Sequence, residues 1–95
     1  MECKATAWTV HAERRLFQRN VSAAAVIPVI TSGEAIEAYP NDVPFPSVLI
    51  LGAVDGHPLH VVVARVPQTL HCIVVTVYWP DRDFGDADFR RRTQR

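Results

Sequence analysis

The stretch Val48-Leu49-Ile50-Leu51-Gly52-Ala53-Val54-Asp55-Gly56-His57-Pro58-Leu59-His60-Val61-Val62-Val63-Ala64-Arg65-Val66 decides the fold. Two aliphatic, β-branched runs flank Asp55-Gly56, and aspartate and glycine both tolerate the positive φ that a tight hairpin turn demands. The pattern predicts antiparallel strands over 48–54 and 58–66, with Leu51 facing His60 and Leu49 facing Val62. Ile50 and Val48 then share the other face with Val61 and Val63. Both faces are apolar, whereas an antiparallel sheet with one wet face alternates apolar and polar residues.

Working outward, 67–70 makes the next turn and 71–79, stopped by Pro80, is a further strand. On the other side, 34–39 is a short alternating strand, and 40–47 carries three prolines and reads as a loop. Upstream the period changes. Thr9 is an N-cap candidate for a helix over 9–19, with Trp8, Ala12 and Leu16 as its apolar stripe. Ser22 caps a second helix in which Val26, Val29 and Ile30 recur at helical spacing, and Gly33 supplies a left-handed stop. Pro28 inside that helix predicts a kink or an irregular turn. The expected architecture is α+β: two N-terminal helices followed by a three- or four-stranded antiparallel meander in one domain over 1–89, with a basic tail at 90–95. Two short helices cover one face of such a sheet. The other requires a second copy, a protein partner, or the C-terminal segment 83–89 laying Phe84 and Phe89 across it.

Composition narrows the function classes. Hydrophobic residues make up 48% of the 95 and charged residues 21%, which excludes a disordered or collagen-like chain. The apolar runs fall short of the roughly 20 residues of a membrane helix, and no N-terminal segment reads as a secretory signal. Cys3 and Cys72 are too few for a disulfide scaffold and fit a reducing cytoplasm. The balanced charge hides an asymmetry. Four of the ten basic residues are Arg90, Arg91, Arg92 and Arg95, which leaves six basic against all ten acidic residues in 1–89, a net of −4. Such a body lacks the broad positive field of a nonspecific nucleic-acid binder, so any RNA contact needs a local patch or the tail.

The chemistry-bearing residues cluster on the first helix and the central strand. His11, Arg15 and Arg19 stand at i, i+4 and i+8, climbing one side of the helix with a drift of about 40° per step. A histidine between two permanent cations suits a phosphodiester: Arg15 and Arg19 hold phosphate while His11 moves a proton. The same spacing also describes a solvated basic face. His60, among apolar neighbours, needs a hydrogen-bond partner, with Tyr78 and Glu37 the candidates; it is either a second proton carrier or a satisfied core histidine. No metal or other cofactor is expected, because the His57/His60 spacing in a strand puts the two rings on opposite faces.

The ordered set Val10-His11-Ala12, Arg15, Arg19-Asn20-Val21-Ser22, Gly33-Glu34, Ile36-Glu37, Tyr39, Leu51-Gly52, Gly56, Pro58-Leu59-His60-Val61-Val62-Val63 and Val75-Thr76-Val77-Tyr78, Pro80-Asp81 resembles the domain of unknown function 4258 family. The likeness covers nearly the whole chain. It departs from the usual pattern at Asn20, where glycine is common, and at Pro28. The family's helix–helix–meander order is similar to the RelE/ParE-like toxins. That implies a metal-independent endoribonuclease or a degenerate relative, using the RNA's own 2′-hydroxyl, held by an antitoxin. On that expectation His11 and His60 exchange the proton, Tyr78 or Glu37 orients them, and Arg15 and Arg19 bind phosphate. The alternative is a noncatalytic interaction module that self-associates, as a dimer, or binds a partner through the uncovered sheet face.

Overall fold

The computed structural model describes residues 1–80 together with Phe89 and Arg90. Phe84, Arg91, Arg92 and Arg95, which entered the expectations above, lie outside the described residues. The elements run β1 (Ala5–Trp8), α1 (Val10–Arg19), α2 (Ala23–Ser32), β2 (Glu34–Tyr39), β3 (Ser47–Val54), β4 (His57–Arg65) and β5 (His71–Tyr78). The fold is α+β, with two helices near the N-terminus and a sheet ordered β1-β5-β4-β3-β2.

β2 to β5 form the expected antiparallel meander in chain order, with Leu51 opposite His60 and Leu49 opposite Val62. Asp55 and Gly56 both adopt positive φ (51° and 80°), the combination a two-residue turn requires. β1 is an addition to the expected sheet. It pairs parallel to β5, Ala5 to His71 through Trp8 to Val74, and so joins the two ends of the folded chain at one edge. A disulfide between Cys3 and Cys72, with Cα atoms 5.5 Å apart, anchors the residues leading into β1. The two cysteines, too few for a disulfide scaffold by count, are thus paired with each other.

Both helices begin at the residues that the sequence marks. Thr9 and Ser22 are extended and their hydroxyls accept from the amides of Ala12 and Ala25. Thr9 Oγ1 also donates to the carbonyl of Val75 in β5, tying the start of α1 to the sheet. α1 ends at Asn20, whose φ of 56° is left-handed, a conformation that asparagine tolerates and glycine adopts freely. Gly33 differs from expectation: it is extended (φ −75°, ψ 174°), not left-handed. Its lack of a side chain serves packing instead, since a Cβ there would sit 2.4 Å from the Val29 carbonyl oxygen and 2.6 Å from Ile50 Cγ2. α2 continues through Pro28, which is exposed, so the Ala24 carbonyl that loses its helical donor lies on the solvent side.

The helices cover one sheet face. Ala12, Val26, Val29 and Ile30 pack there on Ile50, Leu59, Val61, Val63, Val74 and Val77. On the opposite face Leu49, Val62 and Tyr78 form a smaller buried group with Ile36, Tyr39 and Val75 against it.

Candidate functional site

Strand pairing carries His60 onto the face away from the helices, between Leu51 on β3 and Tyr78 on β5. The imidazole is fully buried and meets two partners. Its Nε2 lies 2.6 Å from the carbonyl oxygen of Phe89, and its Nδ1 lies 3.1 Å from Tyr78 Oη. A carbonyl only accepts, so Nε2 carries the proton and donates to it. In the neutral ring Nδ1 then accepts from the Tyr78 hydroxyl. The two rings meet edge to face at 5.2 Å, which fixes the imidazole plane further.

Phe89 and Arg90 therefore lie on this face. Arg90 makes a bidentate ion pair with Glu34, the β2 residue opposite Leu51. His60, Leu51 and Glu34 stand in one line across β4, β3 and β2, and the Phe89–Arg90 peptide spans that line. The Arg90 guanidinium holds the Glu34 carboxyl below the usual carboxylate range, by hydrogen bonding first and by charge second.

The other candidate residues are distributed as follows. Tyr78 partners His60 as the sequence suggested. Glu37 does not reach His60: it stands on β2 opposite Leu49, and its Oε1 accepts from Tyr39 Oη at 3.2 Å. His11 is exposed at the start of α1, with Nε2 3.1 Å from Oγ1 of Thr76, two residues before Tyr78 on β5. Arg15 donates to Gln18 Oε1 one turn along the same helix. Arg19 is half-buried, and its carbonyl accepts from the indole of Trp79 at 2.9 Å. Sequence reasoning missed Glu34 and Thr76; it offered Phe89 as a residue laid across this face, without the role of its carbonyl, and it treated Arg90 only as part of a tail. The register that placed Leu51 opposite His60 would have led on to Glu34, but an irregularity between Ala35 and Glu37 shifts the pairing by one.

Among the described residues, the buried polar side chains Ser47, His60 and Thr76 all belong to this face. Each has a partner from outside its own strand: Asp42, Phe89 and His11 respectively. Separately, a groove of about 1020 Å³ runs between α1 and the Asp55-Gly56 hairpin, with Leu16, Phe17, Val21, Val54, His57 and Trp79 in its lining. It contains none of the candidate residues. Among the described residues no group of three or more His, Cys, Asp or Glu side chains could hold a metal ion, and no helix is long and apolar enough to cross a membrane.

A mixed sheet with helices on one face, and on the other a buried histidine that meets the Phe89 carbonyl, defines a small α+β domain. The chain belongs to the family described as Domain of unknown function (DUF4258), whose family model matches residues 8–79. No curated protein and no solved structure matches it significantly, and the comparisons give no support for a specific relationship to RelE/ParE-like toxins. Cys3, Phe89 and Arg90 lie outside the matched stretch.

Proposed function

We propose that this chain is a noncatalytic interaction domain that pairs with itself or with a protein partner through the sheet face opposite the helices. The observation that carries this is the state of His60. A proton carrier needs a ring nitrogen that substrate can reach, whereas this ring is buried and both nitrogens hold internal partners, one of them a peptide carbonyl. A face that already binds backbone in this way is suited to binding more of it. Sedimentation of the purified chain, alone and with captured partners, tests the assignment. Association that weakens on substitution at Leu51 or Glu34 supports it. A monomer at every concentration, with no partner affected by those changes, overturns it.

A toxin-type, metal-independent ribonuclease is the second assignment, and one observation favours it. His11 is exposed on the same helix as Arg15 and Arg19, so a phosphodiester could meet all three. Incubation of the chain, free of any antitoxin, with mixed cellular RNA decides between the two. Cleavage that His11→Ala abolishes while binding persists would establish chemistry at α1. Intact RNA leaves the interaction domain.

A further inference from the structure

We propose that the sheet face reads a short peptide as a backbone carbonyl followed immediately by arginine, and that Phe89, at a left-handed φ of 64°, and Arg90 are the chain's own resident copy of that ligand. This rests on the interaction-domain assignment and gives its partner a chemistry: a basic, arginine-bearing peptide segment.

The two recognition points are built differently. His60 is a fixed donor, because Tyr78 holds its Nδ1 and packs edge-on against the ring, so Nε2–H points at one place whether or not a carbonyl occupies it. Glu34 stands two strands away, which at about 4.8 Å per strand is roughly 10 Å, a span that a carbonyl and the arginine after it bridge. The pair with Arg90 is bidentate, a geometry that guanidinium provides and a lysine ammonium does not. Half-buried Leu51 lies on the line between them.

Charge points to the same class of ligand. Glu37 adds a second carboxylate to the strand and face of Glu34. The resident contact is also open to replacement. The Arg90 and Glu34 side chains are 43% and 54% exposed, and an ion pair that exposed is individually weak. Covalent attachment also gives the resident copy an effective concentration, roughly millimolar for a short linker, against which a free peptide competes.

The test uses the full chain, ¹⁵N-labelled, and the blocked peptide acetyl-Ala-Asp-Phe-Arg-Arg-amide, the sequence of residues 87–91. Amide shifts of His60, Leu51 and Glu34 are followed during titration. Arg90→Ala, which weakens the resident copy, should bind the peptide at least threefold more tightly than the wild type. Replacing both arginines of the peptide by lysine should weaken binding severalfold, and Glu34→Gln in the Arg90→Ala chain should erase that preference. Equal affinity for wild type and Arg90→Ala, or for arginine and lysine peptides, overturns the proposal. Both substituted residues are on the surface, and unchanged spectra elsewhere confirm that the variants fold. Sedimentation of the same samples separates the two claims. Self-association that persists in Glu34→Gln with no peptide preference leaves the interaction domain standing and removes only the carbonyl–arginine reader.

Discussion

The two faces of this sheet are built on opposite principles. Under the helices, Val61, Val63, Val74, Val77 and Ile50 meet Ala12, Val26, Val29 and Ile30 in a layer whose fully buried members, among the described residues, are apolar. Across the same strands, Ser47, His60 and Thr76 are buried among Leu49, Val62 and Tyr78. Dispersion and water exclusion hold the first face and tolerate many equivalent partners. Directional bonds hold the second, and each needs a particular partner in a particular place. Close packing therefore holds the first face, and fixed partner geometry the second.

If that contrast is right, the largest losses of stability come from the helix-covered side. Cys72 is buried in that core, and replacing Cys3 and Cys72 together by serine opens a loop with a sequence separation of 69. Chain entropy sets the expected cost at about 4 kcal/mol in a denaturant titration. Ile30→Ala, which hollows the contact of α2 with the sheet, should cost about 3 kcal/mol.

His60→Leu, on the other face, removes hydrogen bonds to Tyr78 and Phe89 while keeping apolar volume, and should cost about 1–3 kcal/mol. A loss equal to that of Ile30→Ala would break the contrast. Thr9→Ala, which removes both the cap of α1 and its bond to Val75, should cost about 1 kcal/mol in a thermal melt.

The smallest effect is electrostatic. The carboxyl pKa of Glu34 is lowered in the folded chain, so the contribution of its ion pair is present above the ordinary carboxylate range. It is lost as pH falls through the lowered value. A carbon-detected titration should place the Glu34 midpoint below that of a free glutamate, and Arg90→Ala should return it to the ordinary range.

How much of this was legible follows from range along the chain. The Asp55-Gly56 hairpin, the register of Leu51 with His60 and the caps at Thr9 and Ser22 depend on residues a few positions apart, and periodicity and turn chemistry reveal them. β1 has four residues and pairs with a strand more than sixty positions away, so no local pattern marks it. The tie between Cys3 and Cys72 escaped for the same reason. Gly33 looks like a stop signal in the sequence because glycine usually is one, whereas close approach to Val29 and Ile50 is what requires it. Within the site, the His60–Tyr78 pair came from register, and Glu37 was chosen over Glu34 because the irregularity in β2 is invisible before the strands are aligned.

The parallel edge strand has a consequence for how the chain is made. Residues emerge in order at about 5–20 per second, so Cys3 waits roughly 3–14 s as a thiol before its partner 69 positions later is even synthesised. Of the five strands in this sheet, β1 thus emerges first and is seated only once β5 has followed. An alkylating reagent or competing thiol meeting the nascent chain in that interval would leave β5 as a bare edge, and the same reagent added after release would find the sulfur already taken.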